Sequence, residues 1–161
     1  MNGWETFFAA QIGASAALAG LVFVGISINL SRILSLPGAI SNRGLQALAL
    51  LMAILVVSSL MLLPGQPLTA AGVEALLVAL VAWGIVTLID LRARHNIPEG
   101  FGRTFALNMV LNQVAGLLYV AGGVLVITQG AAGIYWLAAA ILFAYIKAIE
   151  DAWVLLVEIN R

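Results

Sequence analysis

Long apolar runs follow one another through this chain with little that is polar between them, and each is close to the length of a helix that crosses a lipid bilayer. A crossing helix needs about 20 mainly apolar residues. The runs read as residues 7–30, 45–63, 69–91, 105–128 and 134–155, punctuated by Pro37-Gly38, by Pro64-Gly65 and Pro67, by Asp90 with Arg92 and Arg94, and by Gly130 and Gly133. None shows the strict alternation of a half-buried strand. Only 9% of the 161 residues are charged and 63% are hydrophobic, where a soluble domain carries about 25% charged residues. So few charges cannot clothe a water-facing surface. The expected fold is an all-α integral membrane protein, a single transmembrane domain over residues 1–161 built as a bundle of five helices, in contact with membrane lipids.

Charge placement sets the expected orientation. Lys and Arg gather in cytoplasmic loops. Arg32 and Arg43 follow the first run, and Arg92, Arg94 and Arg103 follow the third. The loops after the second and fourth runs carry no basic residue, while Lys147 and Arg161 lie towards the C-terminus. Five crossings with the N-terminus outside and the C-terminus cytoplasmic put all seven on one side. Trp4, Phe7 and Phe8 then form an outer interface anchor and Trp153 an inner one. No Lys or Arg precedes Arg32 and the first apolar run is long, so a cleavable signal peptide is not expected there.

The same counts exclude several function classes. Seven Lys+Arg against seven Asp+Glu leave no net charge, hence no electrostatic footprint for a nucleic acid. Absence of Cys removes disulfides and thiolate ligands, and one His makes a metal centre unexpected. No catalytic or cofactor-binding motif is present, and Ser58-Ser59 alone supply neither a nucleophile–base pair nor a metal site, so no enzyme is expected.

Two helix faces stand out. In the first run Gly13, Gly20 and Ser27 recur every seven residues among many alanines, with Asn29 at its end. Small residues let helix backbones approach closely in lipid, so the stripe reads either as a packing face, within or between subunits, or as the lining of a pore. In the fourth run Asn108, Asn112, Ala115, Tyr119 and Gly123 share one face, with Gln113 to its side. An unpaired amide in hydrocarbon costs several kcal/mol. Asn108 and Asn112 therefore read as interhelical hydrogen bonders, contributing about 0.6–2 kcal/mol each, or, with Tyr119 on the same face, as the packing face or lining of a hydrated pore or cavity.

Ionisable groups within apolar runs are functional candidates. Glu74 reads as interfacial or as part of an outer acidic ring with Glu5. Asp90 reads as a surface ion-pair partner of Arg92 and Arg94. Lys147 can reach Glu150 and Asp151 at i+3 and i+4, as a salt-bridged helix end or as a charged cluster at an inner mouth. The 92–103 loop, with His95, reads as the docking surface for a partner membrane protein or for anionic headgroups. The scarcity of intramembrane charge argues against proton-coupled transport.

The opening residues carry a resemblance. Trp4-Glu5, Phe7-Phe8, the stretch from Gly13 to Val24 (GASAALAGLVFV) and Ser27-Ile28-Asn29-Leu30 resemble the first span of a family of small bacterial polytopic inner-membrane proteins of about five spans. The similarity is strongest over about the first 35 residues. It implies a bacterial inner-membrane location and brings no activity, ligand or catalytic residue.

Two functions remain open. One is a homo-oligomeric channel or passive permeation pathway, with copies closing around an axis but no recognisable selectivity filter. The other is a non-conducting accessory, regulatory or scaffold subunit. An odd number of spans does not divide into matched inverted halves, against a secondary transporter. The orientation is testable because the chain has no Cys: Ile97→Cys should resist a membrane-impermeant thiol reagent applied from outside, whereas Gly65→Cys should react. Labelling of residue 97 from outside would overturn the topology.

Overall fold

The computed structural model describes residues 3–36, 38–94, 97, 100 and 102–159, and the described residues are helical with short turns and no strand. Helix α1 spans Trp4–Ile28, the short α2 Leu30–Ser35, α3 Gly38–Leu60, α4 Leu68–Ala93, α5 Gly102–Gln129 and α6 Gly133–Ile159. Four continuous stretches are long and apolar enough to cross a membrane: Trp4–Ile28, Ile40–Leu60, Leu68–Ala93 and Gly102–Glu158. The last covers 57 residues, about 85 Å at 1.5 Å per residue, far beyond a hydrocarbon core of about 30 Å. It is a hairpin. The 3-10 turn Gly130–Ala132 joins α5 to α6 almost without leaving helical geometry, and Gly130 supplies the positive φ of 61° where the chain reverses.

Helices α3 to α6 run alternately up and down and close a four-helix ring, each packed on its neighbours, with α6 returning to α3. Helix α1 lies outside this ring along α3 and touches α6 through side chains. The Trp4 ring sits 4.8 Å from that of Tyr135 at one end, and the Tyr145 hydroxyl donates to the Gln11 carbonyl at 2.9 Å farther along. Phe8, Ile54, Met61, Ile134, Leu137 and Ile141 fill one continuous core. Ile33 of α2 packs with Ile40 and Leu155 in a smaller one at the other end.

Two boundaries and one packing face differ from the sequence reading for physical reasons. The first run breaks at Asn29, whose amide nitrogen turns back to the Gly25 carbonyl at 3.0 Å while its own carbonyl caps α2, accepting from Arg32 N at 3.0 Å and Ile33 N at 2.9 Å. The second helix begins at Gly38 rather than near Leu45, so Arg43 is a helical residue and not a loop cation. The third difference concerns the small residues. A Cβ on Gly13 or Gly20 would meet nothing within 4 Å, and Ser27 is exposed, its hydroxyl donating to the Phe23 carbonyl. That stripe points away from its own bundle, and α1 packs through Phe8 and Ser15 instead, with Leu18, Ala19 and Val22 beside them.

The close backbone approaches lie on α5. A Cβ on Gly123 would come 2.9 Å from the Leu76 Cα of α4, and one on Gly122 2.9 Å from the Leu137 Cα of α6. The Trp83 ring occupies the space over Gly116. Gly123→Val should therefore cost about 1–3 kcal/mol, the usual range for overpacking a tight interface, and lower the thermal midpoint in detergent. Gly20→Val should leave the midpoint unchanged, and equal shifts in the two variants would contradict this packing.

Candidate functional site: a buried polar network

At the end of the bundle where α3 begins, α4 ends, α5 begins and α6 ends, eight polar side chains from four helices meet. Arg43, Gln46, Asp90, Asn108, Asn112, Lys147 and Asp151 are buried, each at most 4% exposed, and Glu150 stands at the rim. Their placement follows from helical geometry. Asn108 and Asn112 are one turn apart on the inward face of α5, Lys147 and Asp151 one turn apart on that of α6, and Arg43 and Gln46 nearly so on α3.

The links are continuous. Arg43 Nη1 donates to Glu150 Oε1 at 2.7 Å and to Asp151 Oδ1 at 3.3 Å. Lys147 Nζ pairs with Asp151 Oδ1, with Glu150 Oε2 at 3.0 Å and with Asn108 Oδ1 at 2.7 Å. Asn108 Nδ2 passes the chain to Gln46 Oε1 at 3.1 Å, and Gln46 Nε2 passes it to Asp90 Oδ1 at 2.6 Å. Asn112 Nδ2 closes on Asp90 Oδ2 at 2.9 Å. Burying charges carries a large desolvation cost that only close pairing and full hydrogen bonding offset, and here two cations, three carboxylates and three amides share that work.

Asp90 corrects the sequence reading. Instead of pairing at the surface with Arg92 and Arg94, which are exposed, it is 1% exposed and held by two amide donors. No cation among the described residues lies within ion-pair reach of it. Lys147, Glu150 and Asp151 do pair with each other, but as part of an interhelical cluster completed by Arg43. Asn108 and Asn112 join the same cluster. Tyr119 is buried farther along that face of α5, its hydroxyl unpartnered.

The remaining candidates lie elsewhere. Glu74 accepts from Gln66 Nε2 at 2.7 Å in the turn before α4, apart from Lys147. Gln113 binds sideways to α4, accepting from Trp83 Nε1 at 2.7 Å and donating to Thr87 Oγ1 at 3.1 Å. Gly13, Gly20, Ser27 and Asn29 belong to the outer helix and do not approach the network. Of the 92–103 loop, residues 95, 96, 98, 99 and 101 lie outside the described residues, so the docking reading based on it, His95 included, lies there too.

Sequence reasoning missed Gln46 and misread Arg43 and Asp90. The available signal was that Gln46 and Asp90 are polar residues just inside the ends of apolar runs.

Chemically the network is a set of interlocked, mutually neutralising groups. It offers no nucleophile–base pair, and among the described residues no group of His, Asp or Glu side chains is placed to hold a metal ion. Its pairing predicts a graded response to substitution. Lys147→Met should lower stability by about 3–5 kcal/mol, the cost of leaving a buried partner charge uncompensated, and the double variant Lys147→Met/Asp151→Leu should recover part of that loss. Glu150→Gln should have the smaller effect, because its side chain is 39% exposed. Denaturation midpoints in one detergent check the order, and a double variant worse than the single one would contradict it.

No family model matches this chain, and no curated protein or solved structure matches it either, so the network's role is read from its own geometry.

Proposed function

We propose that the chain is a five-span protein of a bacterial inner membrane, N-terminus outside and C-terminus cytoplasmic, acting as a non-conducting accessory or scaffold subunit that binds other membrane proteins or further copies of itself. Each of the five long helices is 23 to 28 residues long, enough for one crossing apiece. Their outward surface is apolar, with Leu21 at 69%, Phe23 at 63%, Val81 at 63% and Ile146 at 68% exposure, as suits lipid or another apolar helix. The orientation is supported by Arg32, Arg92, Arg94 and Arg103, exposed at the network end of the bundle. Arg43 and Lys147, neutralised inside, no longer contribute to that argument.

One observation carries the non-conducting reading. Of the polar side chains that would have to face a water-filled path, Asn108, Lys147 and Asp151 are joined to one another and Asn112 is bonded to Asp90, all inside the bundle. A conduction path needs groups that replace an ion's hydration shell along a lumen, and these are committed elsewhere.

The second reading, a homo-oligomeric permeation pathway, is favoured by the outward stripe of Gly13, Gly20 and Ser27, which is free to line an axis between copies. Planar-bilayer recording of the purified full chain separates the two. No current under varied ions and voltages is expected; reproducible single-channel currents, altered by Gly20→Leu, would overturn the proposal in favour of the second reading.

A further inference from the structure

Two buried polar atoms on α5 have no partner. Asn112 Nδ2 donates to Asp90 Oδ2 at 2.9 Å. An ionised carboxylate only accepts, so this bond fixes which way the amide faces and leaves Asn112 Oδ1 without a donor. Two turns along the same face, the Tyr119 hydroxyl is also unpartnered. Asn112 is 2% and Tyr119 4% exposed. Both residues line one cavity of about 10 Å³, room for about one water or a group of that size.

The cavity adjoins the outer surface. Between α3 and α4 lies an apolar groove of about 390 Å³, lined by Ala49, Met52 and Val56 of α3 and by Leu77, Val81 and Ile85 of α4. It faces outward, since Met52, Leu77, Val81 and Ile85 are exposed. At 1.5 Å per residue it runs about 12 Å along α4. Ala53 and Ala82 line the groove and the cavity alike, and each brings only a methyl group to the passage. Trp83 forms part of the cavity wall, its indole N–H already donated to Gln113 Oε1. A mostly apolar pocket with a few convergent polar groups is the usual form of a small-molecule site.

We propose that groove and cavity together bind a neutral, hydroxyl-bearing lipophile that enters from the lipid side. Its apolar chain lies in the α3–α4 groove, and its hydroxyl passes between Ala53 and Ala82 to donate to Asn112 Oδ1 and accept from the Tyr119 hydroxyl. One hydroxyl meets both needs because it donates and accepts at once. An ester, ketone or ether only accepts, which leaves Asn112 Oδ1 bare. A carboxylate brings a second negative charge close to Asp90. An unpaired polar group is costly in hydrocarbon, so ligand and site each gain a partner. The inference goes beyond the accessory-subunit reading and rests only on its placement of these helices in lipid.

The test uses the full chain reconstituted in phospholipid vesicles, with a decanol analogue that carries a photoreactive diazirine. Adducts are expected on the groove residues of α3 and α4, and excess decanol should suppress them. Decane, and decyl methyl ether, which cannot donate, should compete about fivefold less well, the size of one neutral hydrogen bond. Tyr119→Phe removes only an atom with no partner in the protein, so it keeps the fold and should weaken decanol by a similar factor. Ala82→Leu fills the passage and should make decanol no better than decane. Equal competition by decanol and decane in the unaltered protein, as a single trapped water would give, overturns the proposal, and so does an unchanged decanol preference in Tyr119→Phe. A chain that does not float with the vesicles overturns the membrane placement and the site together; one that floats without the preference overturns the site alone.

Discussion

The requirement that every polar group inside an apolar surrounding find a partner within the protein governs this molecule. Water is not there to take up a stray donor or acceptor, and an unpaired one costs several kcal/mol. Four helices meet most of that requirement jointly at one end of the bundle, where Arg43, Gln46, Asp90, Asn108, Asn112, Lys147, Glu150 and Asp151 form a single connected set that leaves only Asn112 Oδ1 and Asp151 Oδ2 without a partner. The links between helices join five pairs: α3 to α6 through Arg43, α6 to α5 through Lys147, α5 to α3 through Asn108, and α3 and α5 to α4 through Asp90. A slide of any one helix by a turn would break links to the others. The network therefore specifies register, a role that nonpolar contacts, being non-directional, perform less selectively.

The opposite end is held by another means. There the ring is closed by shape, with Gly72, Gly122 and Gly123 letting backbones approach and Ile134, Leu137 and Val126 filling the centre. In a membrane, packing of this kind would replace the hydrophobic drive that lipid cannot supply. Helix α1 stands apart from both devices. It adds Phe8 and Ser15 to the interior and leaves most of its surface, including Gly13 and Gly20, outside. It is the element with most surface free for another helix.

Much of this was legible in the residues. The apolar runs mark the helices, and the spacing of Asn108, Asn112, Tyr119 and Gly123 marks the inward face of α5, because helical geometry ties spacing to direction. Lys147, Glu150 and Asp151 are close enough in sequence to be paired by the same rule. Arg43 was misread because a charge beside Pro37-Gly38 looks like loop, and a loop is where an unpaired charge belongs. Asp90 was misread because Arg92 and Arg94 stand next to it in sequence, whereas its partners come from two other helices. The small-residue stripe of α1 announces close packing without saying against what. Within this chain the close approaches fall on α5 instead.

The sequence by itself therefore determined the class of fold, the helices and the inward face of α5, since these depend on local periodicity and on how few charges 161 residues carry. Only the tertiary structure decided which charges pair with one another and which are held by amides. Pairing is a property of side chains brought together from α3, α4, α5 and α6, up to 108 positions apart in the chain, and no local pattern encodes that distance.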